Sequence, residues 1–343
     1  MPTPLLLLLT LALPSAEAVP DLRGQAHLER RQFRMAAESF RKASAERPDD
    51  PEPRLGLARA WAGLEWCGRA VPLFEELRDS SFYGHRAAMD HGACLAAIGR
   101  NAEGIEVLEE AVLLSGNGSG AIVQLAWEAL KGADEPLFRA VASQLIEAEP
   151  GSAGALLLEG ARCWLDGDPD GQEAALQALR SLQGHSPQAD LLDAWAALEL
   201  GEPARAAEIL RGEDRLNRMR LPEVAVWLAE ANRRDGNTEI AHTILNQQSR
   251  GRESSVLRGA ILLRVRADRE GFAAARPDAL RLLDAHPDQP EVVATAWYIA
   301  MRGGDDSASG LRQRYERLAL PDRAPLDLLL PPPPVTPAPS EAP

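Results

Sequence analysis

The chain has 343 residues, 45% of them hydrophobic, and carries 37 basic against 51 acidic side chains, a formal net charge of −14. Nucleic acids and anionic membranes are bound through clustered positive charge, so this balance argues against both as partners. The three cysteines, Cys67, Cys94 and Cys163, are too few and too widely spaced for a disulfide framework or a zinc site. The sequence therefore predicts no metal and no cofactor.

Residues 1–18 predict an export signal. An apolar run over residues 5–13 is followed by Pro14 and by Ala-Glu-Ala at 16–18, which has the small-x-small form of a cleavage site. The run is too short to cross a bilayer, and no lysine or arginine precedes it. Export would place the mature chain in the periplasm or outside the cell; the alternative is a buried or disordered start.

From residue 19 to 320 the chain shows a period of 34 residues. A small residue recurs at this spacing at Gly24, Ala58, Gly92, Ala126, Gly160, Ala194 and, after one extra residue, Ala229. Within each unit, apolar residues return at three- and four-residue spacing, which predicts amphipathic helices. In the first unit these helices are 24–30 and 34–47, and Pro48 ends the second. A fixed period of this length is typical of a helical repeat array.

The pattern resembles the tetratricopeptide repeat (TPR), whose signature runs Trp, Leu-Gly, Tyr, Ala, Phe, Ala, Pro. The first unit matches at Gly24, Ala36, Phe40, Ala43 and Pro48, and the second at Leu57, Ala58, Ala70 and Phe74. Later units match more loosely, and the register is hard to hold after Ser254. The resemblance implies an all-α fold, a right-handed α-solenoid of about seven to nine TPR-like antiparallel helix pairs over residues 19–320.

Cys67 lies early in the second helix of its unit, and Cys94 lies late in the first helix of the next. These helices are expected to run antiparallel, so the two thiols are predicted to be neighbours. They are either bridged, in an oxidising compartment, or packed as small buried hydrophobic side chains. Cys163 would be free in both cases.

Residues 321–343 contain nine prolines, which predicts a disordered or polyproline II tail. The tail is either a spacer or a docking peptide. No catalytic constellation is found elsewhere, because the six histidines are scattered over different repeats without metal-ligand spacing. Arginine clusters at 30–34 and 264–269 have acidic residues close by and are predicted to be solvated helix faces.

The TPR resemblance also implies a binding surface, because the first helices of such arrays line a concave face on which partners usually lie. The inward-facing positions of the middle units would be Val123, Trp127, Leu130, Leu157, Ala161, Trp164, Leu191, Trp195 and Leu198, followed by a charged end at Glu230, Arg233 and Arg234. Exposed aromatic patches of this kind act as binding hot spots. A shift of one position in the register would instead bury the tryptophans in the core.

The predicted function is a non-catalytic scaffold or adaptor that binds a protein or peptide partner on its concave face in the cell envelope. No nucleic acid partner and no integral membrane span are expected. The alternative is an accessory subunit that holds a substrate for an envelope enzyme or for a secretion or assembly complex, which a polar groove would favour over an apolar one. The sequence predicts neither the partner's identity nor the oligomeric state.

Overall fold

A computed structural model describes residues 19–211, 223–249 and 255–319. Within these ranges the chain forms eighteen α-helices and no strands. The helices are α1 (Val19–Glu29), α2 (Phe33–Glu46), α3 (Pro51–Gly63), α4 (Cys67–Leu77), α5 (His85–Ala97), α6 (Asn101–Leu114), α7 (Ser119–Lys131), α8 (Glu135–Ala148), α9 (Ala153–Asp166), α10 (Pro169–Gln183), α11 (Pro187–Glu199), α12 (Pro203–Arg211), α13 (Glu223–Arg234), α14 (Thr238–Ser249), α15 (Val256–Glu270), α16 (Phe272–Ala285), α17 (Pro290–Arg302) and α18 (Ala308–Leu318). The predicted export signal and proline-rich tail lie outside the described residues.

The helices follow one another as nine pairs, in which each odd-numbered helix packs on the even-numbered helix after it. Each odd-numbered helix also contacts the odd-numbered helix of the next pair, so these helices form one continuous layer. The predicted all-α solenoid of TPR-like antiparallel helix pairs is confirmed, and it continues through α15–α18, where the sequence register was unclear. Every described helix falls short of the length and apolar character that a membrane span requires.

The small residues of the 34-residue period lie where neighbouring helices approach most closely. Gly92 in α5 faces Gly104 in α6, and a Cβ atom added to Gly92 would lie 2.8 Å from the carbonyl oxygen of Gly104. At equivalent positions of other pairs, Ala58, Ala126 and Ala194 have no exposed surface. Backbones this close exclude larger side chains. This packing explains why the period appears in the sequence as a recurrence of glycine and alanine.

Cys67 and Cys94 form a disulfide that joins the start of α4 to α5. Their Cα atoms lie 5.0 Å apart and their separation in sequence is 27 residues. The sequence left open whether the two cysteines are bridged or packed as free thiols, and in the structure they are bridged. Cys163 is free and buried, and burial raises the pKa of its thiol.

His91, one turn before Cys94 in α5, is a buried histidine. Its side chain is enclosed, stacks on Phe74 with ring centroids 5.2 Å apart and shares a hydrogen bond of 2.8 Å between its Nδ1 and the Tyr83 hydroxyl. Burial lowers the pKa of His91 from 6.5 to about 4. The folded protein therefore holds this ring neutral over a pH range in which the unfolded chain would protonate it.

We expect the free energy of unfolding to fall as the pH is lowered from 6.5 towards 4. In this interval the unfolded chain binds a proton that folded His91 excludes, so linkage makes acid destabilising, by at most about 3 kcal/mol. Urea denaturation at pH 7, 5.5 and 4.5 would measure the slope. The slope should flatten in a His91→Phe variant, and an unchanged slope in that variant would contradict the assignment.

The array curls until distant pairs meet. Gln289, before α17, donates a hydrogen bond of 3.4 Å to the carbonyl oxygen of Gly99, between α5 and α6, across 190 residues. Lys131 at the end of α7 and Glu223 at the start of α13 form an ion pair of 2.6 Å, which joins the fourth helix pair to the seventh. We use the term inner face for those sides of the odd-numbered helices that face one another across this curl.

Candidate functional site

Tryptophans from four odd-numbered helices meet on the inner face. Trp127 in α7 and Trp195 in α11 occupy positions two periods apart, and Ala161 in α9 lies at the position between them. The two indole rings stack with centroids 5.5 Å apart and an angle of 18° between their planes. We attribute this approach to Ala161, whose methyl group leaves room above α9 for two large rings to meet.

Trp195 is the centre of this group, which we call the tryptophan layer: Trp127, Trp164, Trp195 and Trp227. Its ring lies 5.9 Å from that of Trp164 and 5.7 Å, edge to face, from that of Trp227. The Nε1 of Trp164 donates to Glu199 at 3.0 Å. Sequence reasoning missed Trp227 because it follows Trp195 by 32 residues rather than 34.

The predicted apolar stripe is not exposed in the structure. The exposed fraction is 4% for Trp127, 8% for Trp164 and 9% for Trp195. Five other predicted positions are also buried: Leu130, Leu157, Ala161, Leu191 and Leu198. Val123 is half-buried. The expectation of an open groove is wrong for this conformation, because the curl brings the inner faces of successive pairs into contact. Participation of these side chains in partner binding stays a prediction.

Two indole N–H groups of the tryptophan layer have no hydrogen-bond acceptor in the part of the chain that the structure describes. The Nε1 atoms of Trp127 and Trp195 are both buried and unpaired among the described residues. A buried donor without an acceptor costs about 1–3 kcal/mol, because it loses its hydrogen bond to water. The inner face therefore holds two donors at its centre that an incoming acceptor would satisfy.

Glu230, predicted as part of a charged groove end, is instead the centre of a buried ionic network. Its carboxylate accepts hydrogen bonds from Arg233 at 2.9 Å, from Arg234 at 2.9 Å and from Arg264 at 3.1 Å. Burial alone would raise the pKa of Glu230, but the surrounding guanidinium groups hold it well below its usual range. The predicted exposure of Glu230, Arg233 and Arg234 is therefore wrong, because both arginines pair with Glu230, which also pairs with Arg264 in α15.

The network continues into the last two helix pairs. Arg264 donates to Thr295 at 2.9 Å and to Glu291 at 2.6 Å, both in α17. Arg233 bonds Asp268 at 3.0 Å and lies over the ring of Tyr298. Arg264 was predicted to lie on a solvated face but has no exposed side-chain surface. Buried charges thus link the odd-numbered helices of pairs seven to nine.

A separate open surface pocket of about 760 Å³ lies beside α10, α11 and α12. Its lining includes Arg180, His185, Asp190, Asp193, Arg205 and Glu208. Arg180 already bonds Asp190 at 3.1 Å and Asp193 at 2.6 Å, so these two carboxylates are paired within the protein. In the part of the chain that the structure describes, no group of three or more His, Cys, Asp or Glu side chains is placed to hold a metal ion.

Two solved structures illustrate what the chain is similar to. A tetratricopeptide repeat protein from Parabacteroides merdae is 11% identical, covers 82% of this chain and 98% of its own, and superposes with a TM-score of 0.43. The human IFIT1 dimer with PPP-AAAA is 14% identical, covers 88% of this chain and 72% of its own, with a TM-score of 0.49. The chain is a TPR-like array. That statement rests on its own helix pairs and their 34-residue spacing. No protein-family model and no curated protein matches the chain.

Proposed function

We propose that this TPR-like array is an exported, non-catalytic scaffold whose tryptophan layer binds an extended peptide segment of a partner protein. The observation that carries the proposal is a pair of indole donors, Trp127 and Trp195, that find no acceptor among the described residues and lie at the centre of an aromatic inner face. Aromatic side chains with one polar atom supply large contact area together with a directional hydrogen bond. Such a surface suits a ligand that is apolar and rich in acceptors.

An extended peptide has this chemistry. Its backbone carbonyl groups are not used within the segment, least of all in polyproline II conformation, and aromatic-lined grooves recognise such segments. A nucleic acid fits less well, because the net charge is −14. The arginines Arg233 and Arg264 on the inner face are also already paired with carboxylates, and phosphate groups need cations that are available.

The disulfide supports export, because bridges of this kind persist mainly in oxidising compartments. In cell fractions, the chain should be found in the periplasm or the medium with Cys67 and Cys94 resistant to alkylation until a reductant is added. Cys163 should react only after unfolding, since it is free and buried. Recovery of the chain in the cytoplasm with all three thiols reactive after unfolding would contradict export.

Replacing both Trp127 and Trp195 with phenylalanine should weaken peptide binding about tenfold or more. The change keeps two aromatic rings but removes the two donors, and each hydrogen bond contributes about 1 kcal/mol. Peptides would be selected from a random display library on the parent protein, and their affinities measured by calorimetry. A Trp66→Phe variant is the matched control, because Trp66 lies before α4 and contacts Arg69 rather than the tryptophan layer.

Three results would contradict this role. The first is that no peptide is selected, and the second is that the double variant binds as tightly as the parent. The third is that a single-stranded oligonucleotide binds the parent and displaces the peptide, which would favour a nucleic acid partner. Circular dichroism of each variant would show that the helical fold is retained before affinities are compared.

A further inference from the structure

Lys131 joins two helices that are far apart in the array. Its ammonium nitrogen lies 2.8 Å from Glu128 in the same helix and 2.6 Å from Glu223 in α13. The contact to Glu223 spans 92 residues and passes over the fifth and sixth helix pairs. We call these three side chains the clasp.

The clasp lies next to both ends of the tryptophan layer. Trp127 precedes Lys131 by four residues on α7, and Trp227 follows Glu223 by four residues on α13. Residues four apart on a helix share a face. The ion pair and the outer tryptophans of the layer therefore lie on the same stripes of the same two helices.

The two halves of the clasp differ in how firmly they are held. Burial alone would lower the pKa of Lys131, but Glu128 and Glu223 raise it, so the ammonium group stays charged. The Glu128 side chain is 6% exposed and also accepts from Gln124 at 3.0 Å, whereas Glu223 is 25% exposed. Water can hydrate Glu223 as it separates, so the contact to Glu223 is the one that breaks at the lower cost.

We infer that the clasp is a gate on the tryptophan layer. While Lys131 holds Glu223, the end of α7 stays tied to the start of α13, and the indole donors of Trp127 and Trp195 stay buried without an acceptor among the described residues. When Glu223 is released, the two helices separate and the donors become available. The gate is a property of the free chain. Only the identity of the ligand that binds once the helices separate rests on the proposed peptide-binding role.

The lysine content allows a direct test. The chain has only two lysines, Lys42 and Lys131, and Lys42 lies on the surface with its side chain 63% exposed. Acetylation by an N-hydroxysuccinimide ester, followed by mass spectrometry, would give the labelling rate of each in the same sample. In the parent we expect Lys131 to react at least about tenfold more slowly than Lys42, because Glu128 and Glu223 keep its amine protonated and its side chain is only 22% exposed.

Glu223→Gln is the decisive variant, because it removes the contact across the inner face and leaves the Lys131–Glu128 pair within α7. Lys131 should then react at a rate close to that of Lys42, and tryptophan emission should shift to longer wavelength as the layer is hydrated. The matched control is Glu38→Gln, which removes the exposed partner of Lys42 and should leave the Lys131 rate unchanged.

Equal labelling of both lysines in the parent would overturn the inference. So would tryptophan emission that Glu223→Gln leaves unchanged, because the loss of the carboxylate alone speeds the labelling of Lys131. These readouts need no ligand, so they are independent of the proposed function. Tighter binding of the selected peptides by Glu223→Gln would support both ideas. A shift of tryptophan emission to longer wavelength in Glu223→Gln without any peptide binding would support the gate and contradict the peptide role.

Discussion

Replacement of Glu230 by glutamine should lower the free energy of unfolding by about 3–5 kcal/mol, the cost of breaking a buried ion pair from one side. Glu230, Arg233 and Arg264 have no exposed side-chain surface. A neutral amide would leave the guanidinium groups of α13 and α15 without their shared carboxylate. Urea denaturation followed by circular dichroism would measure the loss. Hydrogen exchange should locate it in α13, α15 and α17.

The matched control is Glu239→Gln. Glu239 pairs with Arg269 but is 76% exposed, and exposed pairs contribute at most about 1 kcal/mol. Because the pKa of Glu230 is held far below its usual range, its carboxylate stays ionised where His91 titrates. Between pH 5 and 6.5 the Glu230→Gln curve should therefore run parallel to that of the parent. A loss no larger than that of Glu239→Gln would show that the network is not stabilising.

Removal of the disulfide should lower the free energy of unfolding by about 3–4 kcal/mol. The bridge closes a loop with a sequence separation of 27 residues, and a loop of this length restricts the unfolded chain by about that amount. Urea denaturation of the parent with and without a reductant would measure the effect. The Cys67→Ala/Cys94→Ala variant should unfold like the reduced parent.

Reductant should have no further effect on the double variant. Cys163→Ala serves as a control for the loss of a buried thiol, since Cys163 is buried and unbridged. This control should retain the parent's sensitivity to reductant. If the oxidised and reduced parent unfold at the same urea concentration, the bridge contributes nothing to stability.

The placement of Trp127 and Trp195 on one face could be predicted from the sequence, because they are two full periods apart. Their burial could not. A period determines which residues share a face, but the curvature of an array is the sum of small rotations between successive pairs. Whether the inner face stays open depends on the total curvature of the array, and the sequence of a single repeat does not determine that curvature.

The charged residues show a second limit. Arg264 and Glu230 are 34 residues apart, so the period itself placed them at equivalent positions of neighbouring pairs. Acidic residues near Arg264 in the sequence favoured a solvated face instead. The partners that bury it, Glu230 and Glu291, come from the helix pairs on either side. Arg264 also occupies a position where an apolar side chain would have continued the pattern, which explains why the register was unclear after Ser254.

The contact between Gln289 and Gly99 changes how this chain can assemble. In an open repeat array each unit touches only its neighbours, so folding can start at any point and spread from there. Here a hydrogen bond across 190 residues couples the third helix pair to segments synthesised much later. Closure has to wait until almost the whole array has emerged, and long-range contacts of this kind slow folding. A truncation that removes Gln289 would thus remove a contact of Gly99, which lies 190 residues earlier in the chain.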